Sequence, residues 1–329
     1  MVVTYNPELT PRREEKHVLI DADCVAYWSA ATCDDQGEGT ALHRVNLRMN
    51  QILDECRASA YTAYLTGENN FRDGIATLQR YKGNRYRSDG TRITPQPRYL
   101  QECREYIIEE FNGILCDGQE ADDALSIHRN RFPPEDMNHI ISSIDKDLRI
   151  NYGYHHNQNS GEIIRVLSGT KPLEIIEKVS GSGKTTKKIE GVGHMFFWAQ
   201  MLMGDTADWI KGLPKVTDAM KERWPKLRMG PCGPMTAVHV LDGVVSEEDA
   251  QERVWFCYKS FWKDNGYSHW RTGQVYPAGE DTAYKQFVEQ MRLLWMRCAT
   301  GELRSPKGIL SGIPDMQEMH ERVTGELLL

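Results

Sequence analysis

His17-Val18-Leu19-Ile20 is a short apolar run that stops at Asp21. Four apolar residues bounded by charge read as a buried strand rather than a helix. Working outward, Leu42, Val45, Met49, Ile52, Leu53 and Cys56 follow helical spacing and predict an amphipathic helix over 41–57. Ala60 to Leu65 reads as a second strand by its length and aromatic content. Tyr99, Cys103, Ile107 and Phe111 predict another helix. Ile114-Leu115-Cys116 is a short strand, a helix starts near Glu120, and His139 to Ile144 is a strand ending at Asp145. Strands alternating with helices predict an α/β fold with a mostly parallel sheet and flanking helices. Beyond about 150 the pattern changes. Residues 162–190 read as a pair of strands joined by Ser180-Gly181-Ser182-Gly183, and from His194 the chain is mainly helical. A boundary near 190 predicts two domains, 1–190 and 191–329.

The chain has 329 residues, of which 40% are hydrophobic and 26% charged. That suits two soluble domains of roughly 150 residues each, and excludes a disordered chain. No apolar run approaches the roughly 18 residues of a membrane span. Residues 1–16 are polar and carry both signs of charge, unlike a signal or transit peptide. The eight cysteines contain no CxxC pair, which excludes a zinc ribbon and reads as reduced thiols in a cytoplasmic protein. The net charge of −7 disfavours a nonspecific nucleic-acid binder.

The acidic residues are not scattered at random. Open parallel sheets bind ligands beyond the carboxyl ends of their strands. Asp21 follows the first strand, and Asp145 and Asp147 follow the strand at 139–144. Glu120, Asp122 and Asp123 stand where the strand at 114–116 hands over to a helix. Asp205 and Asp208 are three apart, hence on one face if that segment is helical. Converging carboxylates repel and raise one another's pKa. Hard divalent cations remove that cost, and oxygen-only ligands suit Mg²⁺ or Mn²⁺. Two such ions can clamp a phosphodiester between them. Each pair has a plainer alternative: helix N-terminal charge for Glu120 and Asp122, an N-cap for Asp205, a solvated turn for Asp145-Lys146-Asp147. Four clusters at successive strand ends favour metal ligands.

Between Arg72 and Arg104 stand eight basic residues against three acidic ones, in an otherwise acidic protein. Tyr81, Tyr86 and Tyr99 are interleaved with them. Cations meeting phosphates and rings meeting bases are the combination expected for nucleic acid. This basic segment, 66–98, also loses periodicity and is rich in Gly and Pro, as a long loop is.

In sequence order, Leu19-Ile20-Asp21, Asn70-Phe71-Arg72, Tyr81-Lys82-Gly83-Asn84-Arg85, Glu120-Ala121-Asp122-Asp123, Asp145-Lys146-Asp147-Leu148 and Gly204-Asp205 to Asp208 resemble the 5′-nuclease superfamily. That family includes flap endonucleases and stand-alone phage 5′→3′ exonucleases, and the chain looks most like the latter. The resemblance spans about 17–245. It implies a PIN-like sheet domain followed by a helical domain carrying a helix–three-turn–helix motif that grips duplex DNA. Gly212-Leu213-Pro214 and Gly230 to Ala237, with Gly233 and Thr236, look like that motif, interrupted by Lys215 to Met229.

The resemblance further implies that Asp21, Glu120 and Asp122 hold one metal ion and that Asp147, Asp205 and Asp208 hold the other. Asp145 and Asp123 would lie between them or behind them. The family has an aspartate just after the second strand, where this chain has Thr66-Gly67-Glu68. Two readings stay open there: Glu68 as a ligand, or Thr66 holding a water. Lys82 and Arg85 would stabilise the charge developing on the phosphate, with Arg72 and Tyr81 on the DNA. The implied reaction is hydrolysis of DNA to 5′-phosphate products, with two Mg²⁺ (or Mn²⁺) and a K⁺ ion at the helical motif. Flaps, RNA–DNA hybrids and contacts with replication proteins belong to the same expectation, and no membrane does. The competing readings are a non-catalytic DNA-binding replication protein with a degenerate site and a PIN-type ribonuclease.

Gly181-Ser182-Gly183-Lys184-Thr185 invites an ATP-binding reading. The phosphate loop needs Gly where this chain has Lys178, and it must open a helix, whereas Thr186-Lys187-Lys188-Ile189 reads as a strand. A hairpin turn is expected. The region 246–300, with four tryptophans, reads as helical core without chemistry.

Overall fold

The computed structural model describes residues 14–167, 173–179, 183, 185–302, 304 and 316–325. They fall into two compact units. The first comprises the described residues of Met1–Asn70, Pro95–Leu167 and Met296–Thr300; the second, those of Phe71–Thr94, Ser168–Trp295 and Gly301–Leu329.

The chain starts with β1 (Glu14–Asp21), α1 (Ala22–Ala31), α2 (Glu38–Glu55) and β2 (Ala58–Thr66). The short α3 (Phe71–Ile75) belongs to the second unit. The first unit resumes with α4 (Leu100–Phe111), β3 (Ile114–Cys116), α5 (Ala121–Arg129), β4 (His139–Ser143), β5 (Gly153–Asn157) and β6 (Ile163–Val166). Its six strands form one sheet in the order β3-β2-β1-β4-β5-β6. All neighbours are parallel except the edge strand β6, which runs antiparallel to β5.

The central run alternates as a strand buried on both faces must. Val18 and Ile20 pack with Val25, Val45, Met49, Ile52 and Ile107 from α1, α2 and α4. Leu19 points the other way and packs with Leu125 of α5, Ile141 and Leu148. All of these side chains are almost wholly buried. Fully burying an aliphatic side chain is worth about 1.5–3 kcal/mol, so the two half-cores fix both the sheet and its strand order. The α/β reading and the mostly parallel sheet are therefore as expected.

The second unit holds the antiparallel pair β7 (Glu174–Val179) and β8 (Thr185–Glu190). It continues with α6 (His194–Met203), β9 (Lys215–Val216), α7 (Asp218–Arg223), β10 (Gly230–Pro231), α8 (Pro234–Leu241), α9 (Glu247–Trp262) and α10 (Glu280–Leu294). Its core is aromatic: Trp198, Trp255 and Tyr258 pack against Phe287 of α10, and Trp255 also against Tyr284 of the same helix. The four tryptophans of the region 246–300 are accordingly more core than surface, though Trp270 stays partly exposed.

Two details differ from the sequence reading, and the Gly-Ser hairpin agrees with it. The chain divides near 167 rather than 190, because β6 completes the first sheet while the following hairpin packs against α8. Residues 71–94 of the basic segment go with the second unit, to which they are fastened by hydrogen bonds described below. The strand that follows the Gly-Ser loop is β8, not a helix, so the phosphate-loop requirement fails. Gly181, Ser182 and Lys184 themselves lie outside the described residues. Among the described residues no helix is long and apolar enough to cross a membrane. All eight cysteines are free thiols.

Candidate metal centre

The carboxyl ends of β1 and β4 lie side by side, because Ile20 pairs with Ser142. Asp21 ends β1 and caps α1: its Oδ1 accepts the Cys24 N–H at 3.3 Å. Its Oδ2 accepts the Cys24 thiol at 2.8 Å and the Ser143 hydroxyl at 2.7 Å. Ser143 Oγ in turn accepts the N–H of Asp145 at 2.9 Å, and Asp145 Oδ1 accepts the N–H of Asp147 at 2.9 Å. A chain of short hydrogen bonds thus joins Asp21, Ser143, Asp145 and Asp147. The Gln158 amide donates to the carbonyls of Asp21 and Ser142, at 3.1 and 3.0 Å, and holds the two strand ends together.

Asp21 is 4% exposed. Burial first, and the charge of Asp23 second, push its carboxyl up to about 6. Among the described residues it has hydrogen-bond donors but no cation. The Cys24 thiol is pushed far up, first by burial and then by Asp21, with Asp122 adding to the effect. Asp122 therefore faces the same place from α5. Lys146 Nζ stands 2.9 Å from Asp147 Oδ1.

Glu120 is the N-cap of α5 and is buried. Asp123, expected between the two metal ions or behind them, holds backbone groups. Both of its oxygens accept backbone N–H groups, from Glu120 at 3.3 Å and Arg297 at 3.1 Å, and it is fully buried. It completes the capping box of α5.

At the end of β2, Thr66 Oγ1 accepts the N–H of Ala121 at 3.0 Å, and the Thr66 N–H donates to Asp23 Oδ2 at 2.8 Å. Thr66 therefore ties β2 to the helix carrying Asp122. Glu68 is exposed, and among the described residues its backbone hydrogen-bonds: its N–H to Asp117 Oδ1, and its carbonyl accepts the N–H of Gly118. Gly67 has no room for a side chain, since a Cβ there would meet Asp117 Oδ1 at 2.3 Å.

Sequence reasoning weighed Asp23 as either a helix cap or a ligand, and it missed Asp117 and Gln158. Asp23 is ion-paired with Arg104 of α4, which also donates to the Thr66 carbonyl. Asp117 holds the turn after β3, and Gln158 holds the strand ends. Arg104 carried a signal, as a cation within an apolar-spaced helix. Asp117 and Gln158 carried none.

The remaining candidates belong to the second unit. Asp205 and Asp208 are not on a helix: the segment is a turn closed by paired Asp205 and Ile210. Asp205 Oδ1 accepts the N–H of Ala207 at 2.7 Å and Oδ2 accepts the Gln200 amide at 3.2 Å. Asp208 sits among the groups expected to bind phosphate. Its Oδ2 accepts the Tyr81 hydroxyl at 2.7 Å, and its Oδ1 lies 3.1 Å from Arg85 Nη2 and 3.6 Å from Lys82 Nζ. The Lys82 N–H donates to the Asp208 carbonyl at 2.9 Å. Lys82 and Trp209 both adopt left-handed backbone, with φ of 51° and 59°, a conformation side chains other than Gly rarely take. So Asp208, expected as a metal ligand, is already compensated by two protein cations.

Two residues expected on the DNA are buried. Arg72 is 1% exposed, and its guanidinium donates to the carbonyls of Leu293 and Trp295, both at 3.0 Å. Tyr81 is 4% exposed, so its ring is not free to stack on a base.

In the expected helix–three-turn–helix motif, the Gly212 N–H donates to Gln290 Oε1 at 3.1 Å rather than facing outward. A Cβ at Gly212 would meet Gly204 N at 2.3 Å, which explains the glycine by packing. Gly230 pairs with Val216 across β9 and β10, with α7 inserted between them. Gly233 precedes α8, and its N–H donates to Thr236 Oγ1 at 3.3 Å. The two glycine turns are joined by the β9–β10 pair rather than by consecutive helices.

No family model and no curated protein matches the chain. It is similar in structure to the zinc-bound 5′-exonuclease of bacteriophage T5, with 14% identity over 85% of this chain and 100% of that one, at a TM-score of 0.43. The T5 flap endonuclease in complex with DNA and metal ions gives 14% identity over 85% and 99%, at a TM-score of 0.42. At such scores the assignment rests on this chain's own residues.

Those residues fit a hard divalent ion by donor chemistry, since Asp21, Asp122, Asp145 and Asp147 offer only oxygen. Among the described residues no three His, Cys, Asp or Glu side chains already stand as a cage for one ion. An ion would have to draw them together, and Asp21 is buried with no cation beside it among the described residues.

Proposed function

We propose that this protein is a divalent-metal-dependent 5′→3′ exonuclease that hydrolyses DNA phosphodiesters and leaves 5′-phosphate ends. The observation that carries the reading is the strand-end group of the first unit. There Asp21, buried and pushed up to about 6, is linked through Ser143 to Asp145 and Asp147 and faces the same thiol as Asp122. Such a group is costly in a folded protein unless a cation or a proton joins it. The order of its motifs, which resembles the 5′-nuclease superfamily, supports the same reading.

Asp21, Glu120, Asp122, Asp145 and Asp147 would hold Mg²⁺ or Mn²⁺. When bound, such an ion supplies Lewis acidity toward the phosphodiester and acidifies water at neutral pH. The protein's own part is threefold. Ser143 and Gln158 keep the carboxylates oriented. Thr66 anchors the helix that carries Asp122. Lys82 and Arg85 meet the phosphate, and charge stabilisation of that kind is worth a few kcal/mol in the transition state. Asp208 holds both cations until a phosphate replaces it. Flap cleavage and removal of RNA primers belong to the same chemistry, and K⁺ at the 230–233 turn would aid duplex binding.

Digestion of 5′-labelled duplex, flap and RNA–DNA hybrid with Mg²⁺ tests the proposal. Fragments bearing 5′-phosphate, formed from the 5′ end and abolished by chelation, are expected. Binding of DNA without any cleavage would make the protein a non-catalytic replication protein, and cleavage of RNA alone would make it a ribonuclease of the PIN type.

A further inference from the structure

Glu289, on α10, is a carboxylate that the proposed chemistry does not use. It is 6% exposed, and burial raises its pKa. A buried carboxylate is destabilising unless several donors meet it. Here they come from one place. Oε1 accepts the N–H of Thr77 at 2.9 Å and of Leu78 at 3.1 Å. Oε2 accepts the hydroxyl of Thr77 and the amide of Gln286, the latter at 3.0 Å. Three of these four donors belong to the root of the basic segment.

The same root is held from other sides. The Tyr267 hydroxyl lies 2.8 Å from Thr77 Oγ1. The Trp270 indole N–H donates to the Ala76 carbonyl at 2.9 Å, and the Trp270 backbone N–H to the Thr77 carbonyl at 3.0 Å. Arg72 donates to the carbonyls of Leu293 and Trp295. Beyond this root the chain runs through Gln79, which donates to the Trp209 carbonyl, to Tyr81, Lys82 and Arg85 on Asp208.

The alternative is that Glu289 is ordinary core. An ordinary core position between Val288 and Gln290 on this aromatic-packed helix would be served by an apolar side chain. A carboxylate there is explained only by the backbone N–H groups it accepts, which no apolar residue satisfies. Ordering the backbone costs about 1–2 kcal/mol per residue, so a long irregular segment keeps one conformation only where contacts like these fix it.

We propose that Glu289 is a positioning residue: it latches the root of the basic segment, through Thr77 and Leu78, so that Lys82 and Arg85 are held in place to receive a phosphate. This gives the region 246–300 a role, that of a clasp for the segment that meets DNA. The inference rests on the proposed nuclease reading only for its consequence in catalysis; the latch itself is a statement about order in residues 71–94.

The experiment therefore has two readouts. The first is native-state trypsin cleavage at Arg80, Lys82, Arg85, Arg87 and Arg92, which reports local opening. In Glu289→Gln, the amide presents a donor to donors, and cleavage in 71–94 should be at least tenfold faster than in wild type. Cleavage elsewhere and the melting temperature should change little. The second readout is turnover of 5′-labelled DNA. Glu289→Gln should lower the single-turnover rate at saturating DNA roughly tenfold, with affinity for Mn²⁺ unchanged. Thr77→Val, which removes one hydroxyl, should shift both readouts in the same direction by less, and it serves if Glu289→Gln does not fold. Tryptic cleavage of 71–94 at the wild-type rate in both variants overturns the latch. Faster cleavage of 71–94 with unchanged DNA turnover overturns its positioning role. If wild type does not cleave DNA, the nuclease reading fails and the tryptic readout alone decides the latch.

Discussion

Asp21 and Asp208 are both acidic residues at the ends of short elements, and their surroundings are opposite. Asp208 has Lys82, Arg85 and a tyrosine hydroxyl on its two oxygens. Asp21 has a thiol, a hydroxyl and a backbone N–H, and a second carboxylate nearby. One carboxylate is neutralised by the protein, the other is left for something from outside. An internal ion pair asks for no further cation and gives up its partners only to a stronger anion. A buried carboxylate beside another attracts a proton or a metal ion. Within the first unit the buried carboxylate lacks a cation beside it among the described residues, whereas within the second unit the carboxylate is paired with two cations.

The largest effect should come from the first region. Asp122→Asn and Asp145→Asn each should lower the single-turnover rate about a thousand-fold, a loss of several kcal/mol. DNA affinity measured by fluorescence anisotropy should stay within a few-fold. Substantial turnover in either variant with Mg²⁺ in excess would break the comparison. Next, Lys82→Ala should lower that rate roughly a hundred-fold at saturating DNA. A rate equal to wild type would leave the basic segment as a tether.

Asp208→Asn sharpens the contrast, because it removes the carboxylate charge beside Lys82 and Arg85 without removing them. DNA affinity should rise a few-fold, its salt dependence should steepen, and the affinity for Mn²⁺ should stay as in wild type. Weaker Mn²⁺ binding in calorimetry would restore Asp208 to the ligands. The smallest effect is in stability against pH. Burial lowers the pKa of His155, which is 5% exposed, to about 4. The unfolded chain then binds more protons than the folded one between about 6.5 and 4, so stability falls as pH falls through that window. Asp21, raised to about 6, works against this trend, since its folded form takes up the proton first. In metal-free protein, Asp21→Asn should therefore make the acid loss of melting temperature steeper, and His155→Gln should make it shallower. Parallel profiles in scanning calorimetry would remove both groups from the account.

The sheet was legible because its signal is local. Val18, Leu19 and Ile20 alternate between two cores, and no partner outside that run is needed to read them as a strand. Asp21, Asp145 and Asp147 were legible for the same reason, as charges placed where strands end. The surroundings of Asp123 were not legible, because a carboxylate at the third position of a helix serves equally as a ligand and as a cap, and of the two N–H groups it accepts, from Glu120 and Arg297, the second comes from distant chain. Arg72 looked like a DNA contact because Asn70-Phe71-Arg72 resembles a family motif and opens the basic segment. Its partners, the carbonyls of Leu293 and Trp295, lie more than two hundred residues away along the chain. Glu289 was invisible for the same reason: an acidic residue in a helix is common, and what singles it out is the set of donors from residues 77 and 78.

The central claim is that the strand-end carboxylates of the first unit require a divalent cation. Calorimetric titration of Mn²⁺ into metal-free wild type and Asp21→Asn, at pH 7.5 and without DNA, tests it most directly. The account predicts saturable binding to wild type and at least tenfold weaker binding to Asp21→Asn. Equal affinities in the two proteins, or no binding to either, would contradict it.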